Sequence, residues 1–268
     1  MPKATSLITG ALAAATSLLL AAAPAPQALL YHRPIVAVNP NQSNNWSGYN
    51  QGALEKGVQF HQVSATWAVP TATRHKAGEN EYSSSWVGIG GGCVDAGCTV
   101  GDTTLIQAGT EQDVSSSGTA SYSAWYELIP APSLSVSLPV KAGDQIHVDI
   151  REGTPQLWTI LIQNLTTGQS FSTTVPYSSS YATAEWIEET PIVIDSNGNA
   201  SVGPLPKLST VKFDTGLANS VNPRLLATEE IQLIDFNGQV LATPSSPDTD
   251  TDGFNDCSYA TSCASFTS

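Results

Sequence analysis

The sequence predicts an all-β protein built as an antiparallel β-sandwich, and three observations support this fold class. Strand-like runs recur about every 8–15 residues, separated by Gly, Asn, Ser and Pro, which is the cadence of a sandwich. Helical periodicity is nearly absent after the first 25 residues. Asn237-Gly238 stands between two such runs, and this dipeptide is typical of a two-residue hairpin turn.

Alternation of apolar and polar side chains locates the individual strands. Residues 145–150 alternate cleanly, and residues 121–128 place Trp125 and Glu127 on the face opposite Tyr126. Residues 164–169 form a predicted turn. The other predicted strands span residues 58–69, 157–163, 170–175, 205–213, 231–236 and 239–241.

The chain divides into three predicted parts. Residues 1–25 are typical of a signal peptide, because Lys3 precedes an apolar run over residues 7–23 that ends in small residues. A membrane anchor is the alternative, and the alanine-rich flank favours cleavage. Residues 26–43 contain prolines without an amphipathic pattern and are interpreted as a leader or short propeptide, and residues 44–268 as one domain. We therefore expect a secreted, extracellular protein that has no membrane attachment after signal removal.

The charge balance is unusual. Charged residues are 12% of the chain, against about 25% in typical soluble proteins, and acidic residues outnumber Lys and Arg by 23 to 10. This excludes a basic surface for nucleic acid. With so few cations, little repulsion would build up at low pH, which favours adaptation to acidic surroundings. A generic acidic surface of a secreted protein explains the composition equally well.

The four cysteines form two close pairs, Cys93 with Cys98 and Cys257 with Cys263. An even number of cysteines in an exported protein predicts two local disulfides. Their spacing does not match a zinc site, and no histidine lies near them in sequence.

Two aspartate motifs are candidates for other chemistry. Asp214, in Phe213-Asp214-Thr215-Gly216, resembles half of an aspartic peptidase site, but such a site needs two aspartates and only one copy occurs. A strand ending in a turn is therefore the favoured interpretation. The calcium candidates are the aspartates of a second segment: Asp248, Asp250, Asp252 and Asp256. An acidic hairpin loop is the favoured alternative there, and any calcium would have a structural role.

The familiar nucleophile and metal signatures are missing from the sequence. Gly-x-Ser-x-Gly and His-Glu-x-x-His do not occur. The histidines are scattered, and the first of them falls in the predicted leader: His32, His61, His75 and His147. We expect the other three to be surface residues rather than members of a catalytic triad or metal ligands.

Carboxylates beside aromatic residues remain as candidates. Glu127, Glu185, Glu188 and Glu189 lie on strand-like segments next to Trp or Tyr. Strand alternation puts Glu185 on one face with Glu189, and Glu188 on the other. Two chemistries fit. Paired carboxylates can cleave glycosides, or one carboxylate can activate water while an amide stabilises the oxyanion of a peptide hydrolysis.

Seven ordered segments resemble the glutamic peptidases, or eqolisins, from about residue 44 onward. They are Asn45-Trp46-Ser47-Gly48-Tyr49, Val63-Ser64-Ala65-Thr66-Trp67-Ala68-Val69-Pro70, Trp86-Val87-Gly88-Ile89-Gly90, Leu105-Ile106-Gln107-Ala108-Gly109, Ala124-Trp125-Tyr126-Glu127, Asn164-Leu165-Thr166-Thr167-Gly168 and Ala184-Glu185-Trp186-Ile187-Glu188-Glu189. The resemblance implies a concanavalin-like β-sandwich of two curved antiparallel sheets. It also implies a secreted endopeptidase that is active at acid pH on protein or peptide substrates, with no metal and no organic cofactor.

The resemblance also implies roles for particular residues. The family's catalytic glutamine and glutamate map onto Gln107 and Glu185, and its substrate-lining tryptophan maps onto Trp86. Three further substrate-site residues map onto the strand motif Trp125, Tyr126 and Glu127. We expect Glu185 to act as general base on a water and Gln107 to stabilise the oxyanion.

Departures from the family pattern affect the surroundings of this pair. Fungal members carry an acid where this chain has Gly90, and an aspartate where it has Glu111. Ser123 and Ile129 also replace the family's aspartate and aromatic residue. These changes bear on specificity and on the proton network more than on the reaction class. Glu111 is therefore included among the candidate substrate-binding residues.

A carbohydrate-binding or carbohydrate-cleaving sandwich is the alternative function. Trp86, Trp125 and Trp186 could stack on sugars, with Glu127 and Glu185 as acid and nucleophile. Nothing in the sequence demands more than a monomer.

Overall fold

The computed structural model describes Met1, residues 29–194 and residues 200–267. Apart from Met1, the predicted signal peptide lies outside the described residues, as do residues 26–28 of the predicted leader. Within the described ranges, no helix has the length and apolar character needed to cross a membrane. The predicted all-β class is confirmed, because strands dominate and the helices in the described part of the chain are a single turn, α1 (Ala53–Lys56), and one 3₁₀ turn (Ala227–Glu229).

The strands are short and follow one another closely along the chain. In order they are β1 (Leu29–Tyr31), β2 (Ala37–Asn39), β3 (Gln42–Ser43), β4 (Trp46–Gly52), β5 (Gln62–Ala68), β6 (Ala72–Thr73), β7 (Ser84–Gly90), β8 (Leu105–Val114), β9 (Ala120–Leu128), β10 (Leu134–Val136), β11 (Gln145–Thr154), β12 (Leu157–Asn164), β13 (Gln169–Pro176), β14 (Thr183–Glu189), β15 (Ile192–Ile194), β16 (Ala200–Val202), β17 (Lys207–Leu208), β18 (Val211–Ala218), β19 (Glu230–Ile234), β20 (Val240–Pro244) and β21 (Phe254–Ser258).

One large sheet contains most of these strands. Its order is β10-β9-β8-β7-β14-β4-β19-β20-β21-β18-β5-β11-β12-β13, and β2 and β3 are attached beside β19. Apart from the short parallel pair β3–β19, neighbouring strands run antiparallel. Two small sheets, β1-β15-β16 and β17-β6, accompany it. The sheet folds back so that β5 and β11 contact β7, and β12 contacts β8.

The main core lies between these facing parts of the sheet. Each strand contributes alternate side chains, as in β11, where Ile146, Val148 and Ile150 are buried. Trp186 of β14 reaches across, and its indole N–H donates to the Ser64 carbonyl at 3.0 Å. Burying a large ring together with its one polar atom removes much apolar area from water without leaving the donor unpaired.

Three strand predictions differ in detail from the structure. The strand expected over residues 205–213 is divided into β17 and β18, and β18 continues to Ala218. The strand expected over residues 58–69 begins only at Gln62, because the preceding residues turn after α1. The hairpin at Asn237-Gly238 has a five-residue loop, residues 235–239, rather than two residues. Asp235 causes the difference, since its Oδ1 accepts the N–H groups of Asn237 and Gln239, both at 2.8 Å.

The two predicted disulfides, Cys93–Cys98 and Cys257–Cys263, are present. Residues 29–43, within the predicted leader, form β1, β2 and β3 and contact the rest of the domain. This contact is important at the site described next.

Candidate active site

Gln107 and Glu185 lie on either side of one glycine in the same row of the sheet. Gly88 of β7 pairs with Gln107 of β8 on one side and with Glu185 of β14 on the other. Directly paired residues point to the same face of an antiparallel sheet, so the two side chains share a face. Two strand spacings separate their Cα atoms, about 10 Å. The long side chains can therefore converge above Gly88.

Gly88 is the residue that this arrangement needs. A Cβ at this position would lie 2.9 Å from Cζ3 of Trp86 and would stand between the glutamine and the glutamate. The space between the side chains of Gln107 and Glu185 is therefore kept open by Gly88 of β7. Gly88 has no side chain and has no chemical role itself.

The row continues on both sides. Glu127 of β9 pairs with Gln107, and the amide Nε2 of Gln107 donates to Glu127 Oε2 at 2.9 Å. Asn50 of β4 pairs with Glu185 and makes two 2.9 Å hydrogen bonds with the backbone of Cys93. The loop after β7 is thereby held against Glu185, whose Oε1 would lie 2.7 Å from a Cβ at Gly92.

Several oxygens of this row are buried without a partner. Among the described residues, neither oxygen of Glu185 accepts a hydrogen bond of ordinary geometry, and Oε1 of Gln107 and Oε1 of Glu127 accept none. All three side chains are inaccessible to solvent. An unsatisfied buried polar group costs about 1–3 kcal/mol, so such a cluster is typical of a site that binds something else.

Burial controls the protonation of both glutamates. Removal from water raises the pKa of Glu185 well above its ordinary value; the Thr183 hydroxyl acts in the opposite direction and Asp102 adds to the rise. Burial likewise raises the pKa of Glu127 to about 8, although the nearby His32 and the hydrogen bond from Gln107 oppose the rise. In this covered state both carboxyls hold their protons in acid.

An aromatic and aliphatic cluster lies on the same face as the pair. It consists of Trp46, Trp86, Leu105, Trp125, Ile129 and Ile187. The Trp86 indole donates to Glu189 Oε2 at 2.9 Å, and the Trp125 indole donates to Ser84 Oγ at 3.0 Å. The structure thus brings the two predicted substrate-site tryptophans to the face of Gln107 and Glu185.

Tyr126 requires a correction. It lies on the opposite face of β9, next to the main core, with its ring 5.9 Å from that of Phe171. Strand alternation separates it from Trp125 and Glu127, so it cannot line the same groove. Trp186 and Glu188 also face away from Glu185, as alternation predicted. The proposed sugar-stacking role of Trp186 is excluded, because its ring is in the core.

His32, which falls in the predicted leader, is completely buried on the site face. Its Nδ1 lies 2.9 Å from Glu189 Oε2, and its Nε2 lies 3.2 Å from Glu111 Oε1. The ring stacks on Trp125 with centroids 3.9 Å apart and planes 5° apart. Burial alone would lower the pKa of His32, but Glu189 and Glu111 raise it to about 10. The imidazole is therefore a cation held between two carboxylates.

The neighbours of His32 continue over the groove. We call residues 31–36 the covering segment. The backbone of His32 hydrogen bonds to Glu127, and the Ile35 N–H donates to the Gly91 carbonyl at 2.9 Å. Tyr31 and Ile35 pack on the aromatic cluster. The segment thus contacts Glu127 at one end of the row that contains Gln107 and Glu185, and the loop beside Glu185 at the other.

Two of the four calcium candidates, Asp248 and Asp252, lie together with Asp214, and Asp250 and Asp256 are not in this group. Asp214, Asp248 and Asp252 each place an oxygen within 4.8 Å of the others. Asp256 is a correction, because it lies outside this group and accepts a 2.6 Å hydrogen bond from Ser47. The lone Asp214 faces no second aspartic peptidase motif, since the sequence contains only one.

The chain is similar in sequence to a known protein family and to two curated proteins. Residues 44–254 match the family model described as the Peptidase A4 family. Scytalidopepsin B of Scytalidium lignicola is 31% identical over 172 residues, which is 62% of this chain and 59% of that protein. Aspergillopepsin-2 of Aspergillus niger is 28% identical over 173 residues, which is 56% of this chain and 57% of that protein. The match therefore spans less than two thirds of either curated relative.

Two solved structures share the fold. Scytalido-glutamic peptidase with a transition state analog inhibitor gives a TM-score of 0.62 at 25% identity, covering 80% of this chain and 98% of that one. Aspergilloglutamic peptidase from Aspergillus niger gives a TM-score of 0.51 at 26% identity, covering 66% of this chain and 99% of that one.

Proposed function

The chain belongs to the Peptidase A4 family, and from that premise we propose that it is a secreted acid endopeptidase that uses Glu185 and Gln107. The observation that carries the proposal is the row in which Gly88 separates these two side chains on one face of the sheet. The substrates would be proteins or peptides, as the name of the similar scytalido-glutamic peptidase suggests.

In the proposed mechanism a water lies between Glu185 and Gln107. Ionised Glu185 takes a proton from this water, which attacks the scissile carbonyl, and the protonated Glu185 then passes the proton to the leaving amine. One N–H of the Gln107 amide is held by Glu127. The second N–H remains for the developing oxyanion, an interaction worth about 2.7–4 kcal/mol for comparable donors.

The mechanism requires that Glu185 lose the proton that burial favours. The raised pKa belongs to a buried carboxyl whose oxygens accept no hydrogen bond of ordinary geometry within the described residues. Water and substrate N–H groups that replace the covering segment would donate to this carboxylate and lower its pKa. Activity in acid therefore depends on opening of the groove.

The remaining parts of the proposal concern the whole protein. We propose that residues 1–25 are removed as a signal peptide and that residues 26–43 are a leader that includes the covering segment. The large sheet would act as a concanavalin-like sandwich of two curved antiparallel sheets around the main core. The proposed enzyme works as a monomer, without metal or organic cofactor in the reaction.

Glu185→Gln should abolish digestion of a denatured protein at pH 3–4, with fragments read by mass spectrometry. Glu188→Gln is the matched control, because Glu188 is also fully buried with a raised pKa, lies three residues away and faces the opposite side. Circular dichroism should show both variants folded. Substantial digestion by folded Glu185→Gln would remove Glu185 from the mechanism. Cleavage of polysaccharide instead of protein would support the carbohydrate alternative.

A further inference from the structure

Two sequence motifs that have no role in the proposed peptidase site meet in the structure. Phe213 of β18 pairs with Phe254 of β21, so Asp214 lies beside the loop that leads into β21. That loop contains Asp248 and Asp252. One oxygen from each of these three aspartates lies within 4.8 Å of the other two.

The loop is folded around Asp248. Its Oδ1 accepts the N–H groups of Asp252 and Gly253, each at 3.2 Å. Along the chain, Asp248, Asp250, Asp252 and Gly253 take the order of positions one, three, five and six of a twelve-residue calcium loop. Such a loop ends with a glutamate at its twelfth position, where this chain has Tyr259.

A buried oxygen without a partner points to a ligand. Asp248 is only 6% exposed, and its Oδ2 has no hydrogen-bond partner in the described part of the chain. Oδ1 of Asp252 has none there either. Three carboxyl groups are thus crowded together, and each would gain from a shared cation.

Lys212 supplies part of the positive charge that these carboxylates need. Lys212 Nζ lies 2.7 Å from Asp214 Oδ2, and both side chains of this pair are substantially exposed. Exposed ion pairs are weak, so a metal ion can replace the ammonium at this carboxylate. The buried Asp248 has no such partner among the ion pairs found in the described residues.

We propose that Asp214, Asp248 and Asp252 bind one calcium ion, with Asp214 of the neighbouring strand replacing the missing twelfth-position glutamate. Hard carboxylate oxygens favour Ca²⁺ over Zn²⁺, which prefers nitrogen and sulfur ligands. The three ligands join β18 to the loop before β21, so the ion has a structural role. Because the ligands must be deprotonated, calcium binds more weakly as the pH falls.

The test uses the full-length chain carrying Glu185→Gln, which avoids self-digestion. After treatment with EDTA, calcium chloride is added at pH 7 and binding is followed by isothermal titration calorimetry and thermal unfolding. We expect one Ca²⁺ per chain, a higher Tm, weaker binding of Mg²⁺, and loss of the Tm increase at pH 4. Absence of both a binding heat and a Tm increase at pH 7 would overturn the proposal.

Variants locate the ion. Asp214→Asn and Asp252→Asn should each lower the calcium affinity at least tenfold, and Asp256→Asn is the matched control that should leave it unchanged. Terbium provides a second readout, because the Trp186 indole lies near the backbone of Gly216 and Asp252 and can sensitise its luminescence. Equal affinity in Asp214→Asn and the unmodified protein would show that the ion, if bound, does not use the predicted replacement ligand.

Discussion

This protein has two clusters of closely spaced carboxyl groups, and the clusters differ in the positive charge that offsets their repulsion. Glu111 and Glu189 on the site face enclose the imidazole of His32, which is a cation from the same chain. Around Asp248, the one cation paired with the cluster among the described residues is the partly exposed Lys212. Buried charges need a partner. The covering segment supplies that partner to the first cluster, whereas in our proposal an ion from solution would supply it to the second.

The largest effect is expected when the cation between Glu111 and Glu189 is removed. His32→Gln leaves Glu111 and Glu189 without a charge between them, and breaking a buried pair in this way costs about 3–5 kcal/mol. The loss should be measured as the free energy of unfolding in urea at pH 7. His147→Gln, which alters a half-buried histidine far from the two glutamates, is the control and should cost much less. A cost for His32→Gln within 0.5 kcal/mol of the control, roughly the scatter of surface substitutions, would show that the imidazole is not a required counterion.

The contribution of His32 to the stability of the fold should depend on pH. The folded-state pKa of His32 is raised to about 10 from an ordinary value of 6.5. A raised pKa stabilises the fold fully below pH 6.5, and this contribution is lost as the pH rises towards 10. The melting temperature of the unmodified protein should therefore fall between pH 7 and 10 by more than that of His32→Gln. Parallel curves for the two proteins would contradict the assignment.

The need for open space between Gln107 and Glu185 can be tested without changing any charge. Gly88→Ala introduces a Cβ between Gln107 and Glu185, 2.9 Å from Trp86. Overpacking of this kind costs about 1–3 kcal/mol of stability, and a small displacement of reacting groups can lower a rate about 100-fold. Activity on a peptide substrate at acid pH and the urea midpoint measure the two effects. Unchanged turnover would show that the open space above Gly88 is unnecessary.

The smallest effect is expected at the edge of the calcium cluster. Lys212→Met removes a partly exposed partner of Asp214, a change worth about 0–1 kcal/mol. It should tighten calcium binding at pH 7, since the ion no longer competes with the ammonium. Calorimetry on the EDTA-treated protein measures this directly. Weaker binding would mean that Lys212 does not compete for the carboxylate.

Much of the fold and part of the site could be predicted from the sequence. Alternation correctly separated Glu185 from Glu188, because the two-residue period is local. The same alternation separated Tyr126 from Trp125, but family resemblance alone grouped them at the site. Gly88 gave no signal, since its role depends on the register of three strands that are distant in sequence.

Long-range contacts account for the residues that sequence reasoning missed. His32 meets glutamates that lie 79 and 157 residues away in the chain. A leader without an amphipathic pattern contains no local hint of such partners. Asp214 and Asp248 were likewise two separate motifs until the pairing of β18 with β21 placed them together.

The covering segment would also affect the affinity of the groove for a peptide. A tethered occupant is present at an effective concentration that dilution of the protein does not change. If the chain is the proposed peptidase, an incoming peptide would compete with residues 31–36, and its apparent affinity would fall in proportion to the fraction of molecules whose groove is open. Truncation before residue 37 would raise that fraction, so the same peptide would bind more tightly to a protein that has lost part of its own chain.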